Sequence, residues 1–362
     1  MNADKVLIAM SGGVDSSVAA YLMKEKGCAC TGCTMKLFQN DAAALPREHS
    51  CCSLDDVEDA RSVARRLGMP YYVFNFSDDF REKIIRRFID SYLEGRTPNP
   101  CIDCNRYMKF DRLFDRAAEL GCRHVVTGHY ARIEASGRDD GPLVLKKAAD
   151  LSKDQSYVLY TLTQEQLCHT LFPLGELHKD EVRRIAEEQG FINAAKPDSQ
   201  DICFVPDGDY ARVIEAWTGG TSVPGDFVDA EGRVLGTHSG IIHYTVGQRK
   251  GLGKAFGKPM YVCAIRPDAN EVVLGTNEEL FGTELEAGEF NWIAGHAPAG
   301  RFRCSAKIRY RQTEQPAEAA VLENGNVILR FDEPQRAITP GQAAVLYDGD
   351  IVLGGGRILR RI

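Results

Sequence analysis

The chain has 362 residues, 44% hydrophobic and 26% charged, a globular composition with length for two or three domains. No apolar run is long enough to cross a bilayer as a helix. A formal net charge of −7 excludes a protein basic over its whole surface, while a local basic patch stays open. The first residues lead straight into a strand-like run without a signal-peptide pattern, so a cytoplasmic location with reduced thiols is expected. In that setting 12 cysteines point to catalysis or metal binding before a disulfide framework.

The first half alternates strand and helix patterns. Lys5–Met10 reads as a strand buried on both faces. Val14, Val18 and Leu22 follow at i+4 spacing, and Gly27 is a helix stop. Thr31–Leu37 and Tyr71–Phe76 read as strands, with a helix between them marked by Val57, Ala60, Ala64 and Leu67 and ended at Gly68. Asp78 is placed to cap the next helix, whose face carries Phe80, Ile84, Phe88 and Tyr92 before Gly95. Phe110, Leu113, Phe114 and Ala117 repeat the pattern, and His124–Ala131 is again strand-like. Helices near Thr163–Phe172 and Lys179–Gln189 complete the series. Such alternation predicts a doubly wound parallel α/β domain over residues 1–210.

The character changes after Trp217. Short alternating runs follow at Tyr261–Ile265, Glu271–Leu274, Arg303–Arg309, Val327–Phe331, Ala343–Tyr347 and Ile351–Leu353. They predict a small β-rich central domain (211–283) and a C-terminal β-barrel (284–362), with Gly282–Glu289 as the seam.

SGGVDSS, residues 11–17, follows the first strand and opens the first helix. A strand, a Gly-rich loop and a helix start together form an anion site, because free N–H groups and the helix dipole point at the ligand. The stretch is not a Walker A loop, since it has no lysine. Asp15 would repel a phosphate unless a cation lay between them, which implies Mg²⁺ beside a nucleotide.

Two further stretches are unusual: GRTPNPCIDCN (95–105) and DSQDICF (198–204). Pro98 and Pro100 stiffen the chain before Cys101 and Cys104. Arg106 and Lys109 place cations near these thiols, which favours a thiolate. Cys203 is flanked by Asp198 and Asp201. Three readings compete: a zinc site completed by Cys51-Cys52 or Cys203, buried reduced cysteines, and a redox or sulfur-relay pair.

The segments AMSGGVDSS, GRTPNPCIDCN, TGHYAR, KDQSYVLYTL, LFPLGEL, DSQDICF, YTVGQRKGLG, KIRYRQ, TPGQAAVLYDGD and LGGGRI occur in this order. Together they resemble the bacterial tRNA-specific 2-thiouridylase family, within the ATP-pyrophosphatase loop group, over the whole chain. The resemblance implies an adenine nucleotide hydrolase-like first domain and ATP-dependent thiolation of the wobble uridine (position 34) at C2 in tRNAs for Lys, Glu and Gln. By the same resemblance Cys104 is the nucleophile and Cys203 the cysteine that receives a persulfide, from an upstream sulfur-carrier protein. Ala9, Met10, Ser11, Gly12, Gly13, Val14, Asp15, Ser16, Met35 and Gly128 match ATP contacts. Asn99, Pro100 and Cys101 match the segment that meets the target base. His129, Lys153, Asp154, Gln155, Arg309, Tyr310 and Gln342 match tRNA contacts. Some members place Asp where this chain has Cys101, so that thiol has no assigned step. The implied chemistry is adenylation of the uridine C2 oxygen, then sulfur transfer from the Cys203 persulfide. Cys104 then releases hydrosulfide or resolves the persulfide into a Cys104–Cys203 disulfide.

RFRCSAKIRYR (301–311) is the candidate RNA surface. Arg301, Arg303, Lys307, Arg309 and Arg311 alternate, which puts them on one face of a strand. Arg249, Lys250 and Lys254 form a second basic loop. Two readings of another class stand beside this one: a zinc-stabilised RNA-binding module without catalysis, and an ATP-pyrophosphatase-type ligase acting on a small metabolite.

Overall fold

The computed structural model describes residues 4–38, 54–137, 141–198, 202–205, 208–220 and 222–362. The first strands in chain order are β1 (Lys5–Ala9), β2 (Ala29–Lys36), β3 (Tyr71–Asn75), β4 (His124–Val126), β5 (Arg132–Ala135), β6 (Leu143–Lys146) and β7 (Thr170–Leu171). Five of them form one sheet in the order β3-β2-β1-β4-β7, and every pairing in it is parallel. Alternation along β1 divides the domain into two layers. Val6 and Ile8 face one apolar cluster and Leu7 faces another, and all three are fully buried. Each such side chain contributes about 1.5–3 kcal/mol of burial.

The Val6/Ile8 layer is built by helix α1 (Val14–Glu25), helix α2 (Leu54–Arg66) and the helix Lys179–Glu188. The Leu7 layer collects Phe80, Phe88, Met108, Leu113, Phe204 and Ile214. Helices on both faces of a parallel sheet make the doubly wound α/β architecture that the alternation predicts. Gly27 ends α1 as read: at φ +78 its N–H bonds Lys24 O and the next N–H bonds Met23 O, the paired bonds of a Schellman stop.

Several elements differ from the sequence reading. The strand beginning at His124 ends at Val126, because Thr127–Ala131 leaves the sheet to pass the start of α1. The helix predicted from Asp78 starts at Ser77, and Asn75 Oδ1 accepts from Ser77 N at 3.2 Å. Thr163–Phe172 splits into a helix, Gln164–Cys168, with a Thr163/Gln166 capping box, and the edge strand β7. The stretch Asn105–Arg112 forms wide π turns before the α-helix Leu113–Glu119.

The central sheet contains β8 (Gly225–Val228), β9 (Val234–His238), β10 (Tyr261–Arg266) and β11 (Glu271–Gly275), in the order β10-β11-β8-β9. The C-terminal strands are β12 (Phe281–Trp292), β13 (Arg301–Lys307), β14 (Gln315–Val321), β15 (Val327–Arg336), β16 (Ala343–Asp348) and β17 (Ile351–Arg361). They run β12-β15-β14-β13-β16-β17, and β12 pairs with β17 to close a six-stranded barrel. The stretch Gly282–Glu289, read as a seam, is therefore part of the strand that closes the barrel.

The parts share cores. Ile102, Phe110, Tyr157 and Tyr160 of the first domain pack with Val345, Tyr347 and Val352 of the barrel. The hairpin β5–β6 extends the barrel sheet, with Lys146 opposite Ile351 on β17. Val213 and Ile214, on the helix Tyr210–Thr218, are buried in the Leu7 layer.

Candidate nucleotide loop and cysteine cleft

The strand order reverses between β1 and β4, so the loops after these parallel strands flank the crevice where doubly wound sheets bind ligands. SGGVDSS lies in the first loop and Gly128 in the second. Gly13 occupies the N-cap of α1 and provides no capping side chain, so the free N–H groups of the first turn are offered to an anion. Gly12 has φ +80, and a Cβ there would run into the Asp56 backbone of α2. A Cβ on Gly128 would lie 2.8 Å from Asp15 C and Ser16 N. The two glycines thus let α2 and the β4 loop close on the helix start. Ser16 works inside the loop: its Oγ accepts from Ser11 N at 3.2 Å and donates to Gly13 O at 3.0 Å.

Asp15 is not bare. Lys179 Nζ donates to Oδ1 at 2.7 Å and to Oδ2 at 2.9 Å, and Tyr130 Oη donates to Oδ1 at 2.7 Å. Burial and the Asp15 charge both raise the Tyr130 hydroxyl pKa, so Tyr130 stays a donor. This corrects the electrostatic argument for Mg²⁺, because the charge of Asp15 is taken up by a lysine. Lys196 brackets the other side, with Nζ at 2.6 Å from Asp56 Oδ1 and 2.7 Å from Asp59 Oδ2. Asn193 Nδ2 donates to Gly12 O and to Ser17 Oγ, both at 2.9 Å. Sequence reasoning missed Tyr130, Lys179, Asn193 and Lys196. They sit more than 100 positions from the loop residues they hold, where no local pattern announces them.

Met10 is buried, and Thr34 Oγ1 donates to its carbonyl at 2.6 Å. Val14, the first residue of α1, is buried beneath the loop. Ala9 and Met35, at the carboxyl ends of β1 and β2, border the Leu7 layer together with Cys104 and Cys203. One apolar cluster therefore carries two matched nucleotide positions and both candidate thiols, each thiol half-buried. Asn99 Oδ1 accepts from Cys101 N at 3.2 Å and Pro100 begins the helix Pro100–Cys104, as a preset φ favours. Cys101 is exposed while Cys104 faces the core. Among the described residues no three His, Cys, Asp or Glu side chains gather as a metal site. Cys51 and Cys52, which the zinc reading invoked, and Asp201 lie outside the described residues.

Beside the thiol helix a cleft opens toward the barrel, lined by Asn99, Asp103, Arg106, Glu289, Gln342 and Arg357 among others. Burial raises the Asp103 carboxyl pKa despite the cations of Arg87, Arg357 and Arg106. Gln342 Nε2 closes one end of the cleft by donating to Thr97 O at 3.0 Å.

The other positions matched to tRNA contacts divide by exposure. Tyr310 is 39% exposed. Arg309 is partly buried, and its Nη2 donates to Ala337 O at 2.8 Å. His129 is buried, with Thr127 Oγ1 at 2.7 Å from Nδ1 and Lys109 Nζ at 3.2 Å from Nε2. Burial and the Lys109 cation hold its pKa well below the usual value, so it is neutral. Lys109, expected beside a thiol, is thereby engaged with His129. Asp154 is buried and accepts from Ala148 N, Ser156 N and Ser156 Oγ. Gln155 Oε1 accepts from Tyr130 N at 3.0 Å, and Lys153 Nζ pairs with Asp198 Oδ2 at 2.9 Å.

The basic strand also departs from expectation. It ends at Lys307, so Arg309 and Arg311 stand on the following turn and not on one strand face with Arg301 and Arg303. Lys307 is turned inward, 3.7 Å from Asp154 Oδ2. Arg301 and Arg303 are exposed but pair with Glu318 and Asp332. In the second basic loop Lys254 Nζ donates to Leu235 O at 2.7 Å.

Comparison with known proteins matches each part. Residues 4–207 match a family described as tRNA methyl transferase HUP domain, 218–276 its PRC-barrel domain, and 282–358 an aminomethyltransferase beta-barrel domain. The chain is 53% identical to the tRNA-specific 2-thiouridylase MnmA 1 of Thermoanaerobacter sp. over 99% of both chains. It is 53% identical to that of Clostridioides difficile over 98% of both. Against that of Acetivibrio thermocellus it is 51% identical, covering 99% of this chain and all of the relative. Identity of this extent across all three parts places the whole chain, loop, thiols and barrel together, in one family: the chain belongs to the tRNA-specific 2-thiouridylases.

Proposed function

We propose that this protein is a tRNA-uridine 2-sulfurtransferase that uses ATP to thiolate the wobble uridine at C2 in tRNAs for Lys, Glu and Gln. The observation that carries the reading is convergence. The uncapped start of α1 lies at the sheet's switch point, and one apolar cluster borders Ala9, Met35, Cys104 and Cys203.

The chemistry follows from these parts. The uridine C2 oxygen is a poor leaving group. Its attack on the α-phosphate of ATP breaks the bond to pyrophosphate and leaves C2 joined to AMP. The N–H groups of the α1 start neutralise the departing pyrophosphate. The terminal sulfur of a Cys203 persulfide then attacks C2 and AMP leaves, so that Cys203 is joined to the base through that sulfur. The Cys104 thiolate attacks the Cys203 sulfur, the bond to the transferred sulfur breaks, and 2-thiouridine departs. Two electrons from a thiol reductant reduce the resulting Cys104–Cys203 disulfide to two thiols, and a persulfide-bearing carrier protein reloads Cys203. The cleft between Asn99 and Gln342 receives the splayed-out base, because C2 is unreachable in a stacked loop. Asp15 is not set up as a Mg²⁺ ligand, since both its oxygens accept from Lys179. Mg²⁺ that travels with ATP is held by phosphate oxygens in this reading. No helix among the described residues is long and apolar enough to cross a membrane, and tRNA substrate and thiol chemistry favour the cytoplasm.

Methyl transfer, which the family descriptions name, is the second reading. It makes no use of a pyrophosphate loop or of two thiols on one cluster. The deciding experiment is mass spectrometry of tRNA from cells lacking the protein, and of tRNA incubated with the protein, ATP and a sulfur donor. Lost 2-thiouridine in the first and ATP-dependent gain in the second are expected. Unchanged 2-thiouridine with a missing methyl group would reverse the assignment.

A further inference from the structure

Lys179 opens the helix Lys179–Glu188, which packs on α1 through Val182 and Ala186. That packing brings its side chain, about nine-tenths buried, to the phosphate loop. An ammonium group has three N–H donors, and three short contacts engage them: Asp15 Oδ1 at 2.7 Å, Asp15 Oδ2 at 2.9 Å and Asp198 Oδ1 at 2.7 Å. Asp198 also binds Lys153 Nζ at 2.9 Å and Arg183 Nη2 at 3.0 Å. Burial would raise its carboxyl pKa, but the bonds from Lys179 and Lys153 outweigh burial and hold it below the usual range.

An oxygen of a polyphosphate arriving at the α1 start must displace one carboxylate to gain a Lys179 proton. Releasing Asp15 would set beside the phosphate a carboxylate that keeps the neutral Tyr130 hydroxyl but has lost the Lys179 cation. Releasing Asp198 leaves that group with two other cations. Asp198 is therefore the partner that yields. We infer that Lys179 is a phosphate-binding residue of the ATP site and that Asp198 competes with the phosphate for it. The inference rests on the nucleotide reading of SGGVDSS. It has an unusual consequence: removing the Asp198 carboxylate tightens phosphate binding, since the competition disappears. By reciprocity, a bound phosphate weakens the hold on Asp198, the residue that begins the stretch leading to Cys203.

The test is calorimetric binding of inorganic pyrophosphate and of ATP to the full-length protein. Asp198→Asn is expected to lower both dissociation constants, by about fivefold or more if the coupling is of ordinary size. Lys179→Gln is expected to raise them by at least about tenfold, and in its background Asp198→Asn should lose its effect. Lys153→Met, which leaves Asp198 more dependent on Lys179, should weaken binding and needs no change at Lys179 itself. Asp198→Asn binding that is unchanged or weaker overturns the inference, as does tightening that persists with Lys179→Gln, because Lys153 or Arg183 would then be the responsible cation. Wild-type protein that binds neither pyrophosphate nor ATP would instead overturn the nucleotide reading, and this inference with it.

Discussion

Gln342 of the barrel donates its Nε2 to Thr97 O at 3.0 Å, bridging 245 positions of sequence to the segment that leads into the cysteine helix. Thr97 N returns a bond to Pro340 O at 2.9 Å. This two-way clasp sets one wall of the cleft. Gln342→Ala is expected to cost about 0.5–1.5 kcal/mol of stability, the net worth of one such bond. Thiolation should fall further than that, because the cleft loses its wall, while pyrophosphate binding at the distant loop stays normal. Parallel measurement of thiolation rate and pyrophosphate affinity checks it. Equal loss of both would point to general destabilisation.

Cys101 and Cys104 lie on one short helix but face different surroundings, solvent for Cys101 and the apolar cluster for Cys104. Cys101→Ser should keep substantial thiolation. Cys104→Ser and Cys203→Ser should each abolish it without lowering the melting temperature. A shared zinc site predicts equal damage from the first two variants, with metal released and the fold weakened. Activity, bound zinc and melting curves on the three proteins separate the cases.

Gly128 allows the β4 loop to lie against the first turn of α1. The added methyl of Gly128→Ala would meet backbone atoms at 2.8 Å, so the loop or the helix must move. ATP affinity should fall at least about tenfold, the equivalent of 1.4 kcal/mol. The parallel sheet should survive, as read by circular dichroism. Wild-type ATP affinity in this variant would remove Gly128 from the site.

His129 links stability to pH. Its pKa is held well below the usual value near 6.5 by burial and by the Lys109 cation. The unfolded chain therefore binds a proton that the folded chain refuses. The stabilising contribution is intact above about pH 6.5 and is lost progressively as the pH falls below it. His129→Gln, which does not titrate, should flatten this acid-side loss. Urea unfolding at a neutral and a mildly acid pH measures it, and identical pH dependence in the two proteins would count against the neutral buried histidine.

Lys307 sits inside the contact between the first domain and the barrel, near Asp154 and Glu314. Lys307→Met should lower stability by about 0.5–3 kcal/mol, since the buried Asp154 carboxylate loses a neighbouring cation while Glu314 keeps Lys147. The salt dependence of tRNA binding should not change, because no phosphate contact is lost. A shallower salt slope without destabilisation would return Lys307 to the RNA surface.

What the sequence determined by itself is local or repetitive. Apolar alternation and glycine stops are short-range consequences of backbone geometry, so β1, β2, β3, α1 and the Lys179 helix stand close to where their patterns put them. The SGGVDSS loop was legible for the same reason, since its chemistry is that of one strand end and one helix start. Composition and resemblance single out Cys104 and Cys203, and the fold sets both against one apolar cluster. The tertiary structure decided whatever depends on partners distant in the chain. It neutralised Asp15 with Lys179, buried His129 and Asp154, turned Lys307 inward and ended the basic strand before Arg309. It also made the expected seam into the closing strand of the barrel. A side chain's charge and period are written at its own position. Whether that charge meets solvent, a phosphate or a carboxylate is set by residues brought to it from elsewhere, and only the packed fold specifies them.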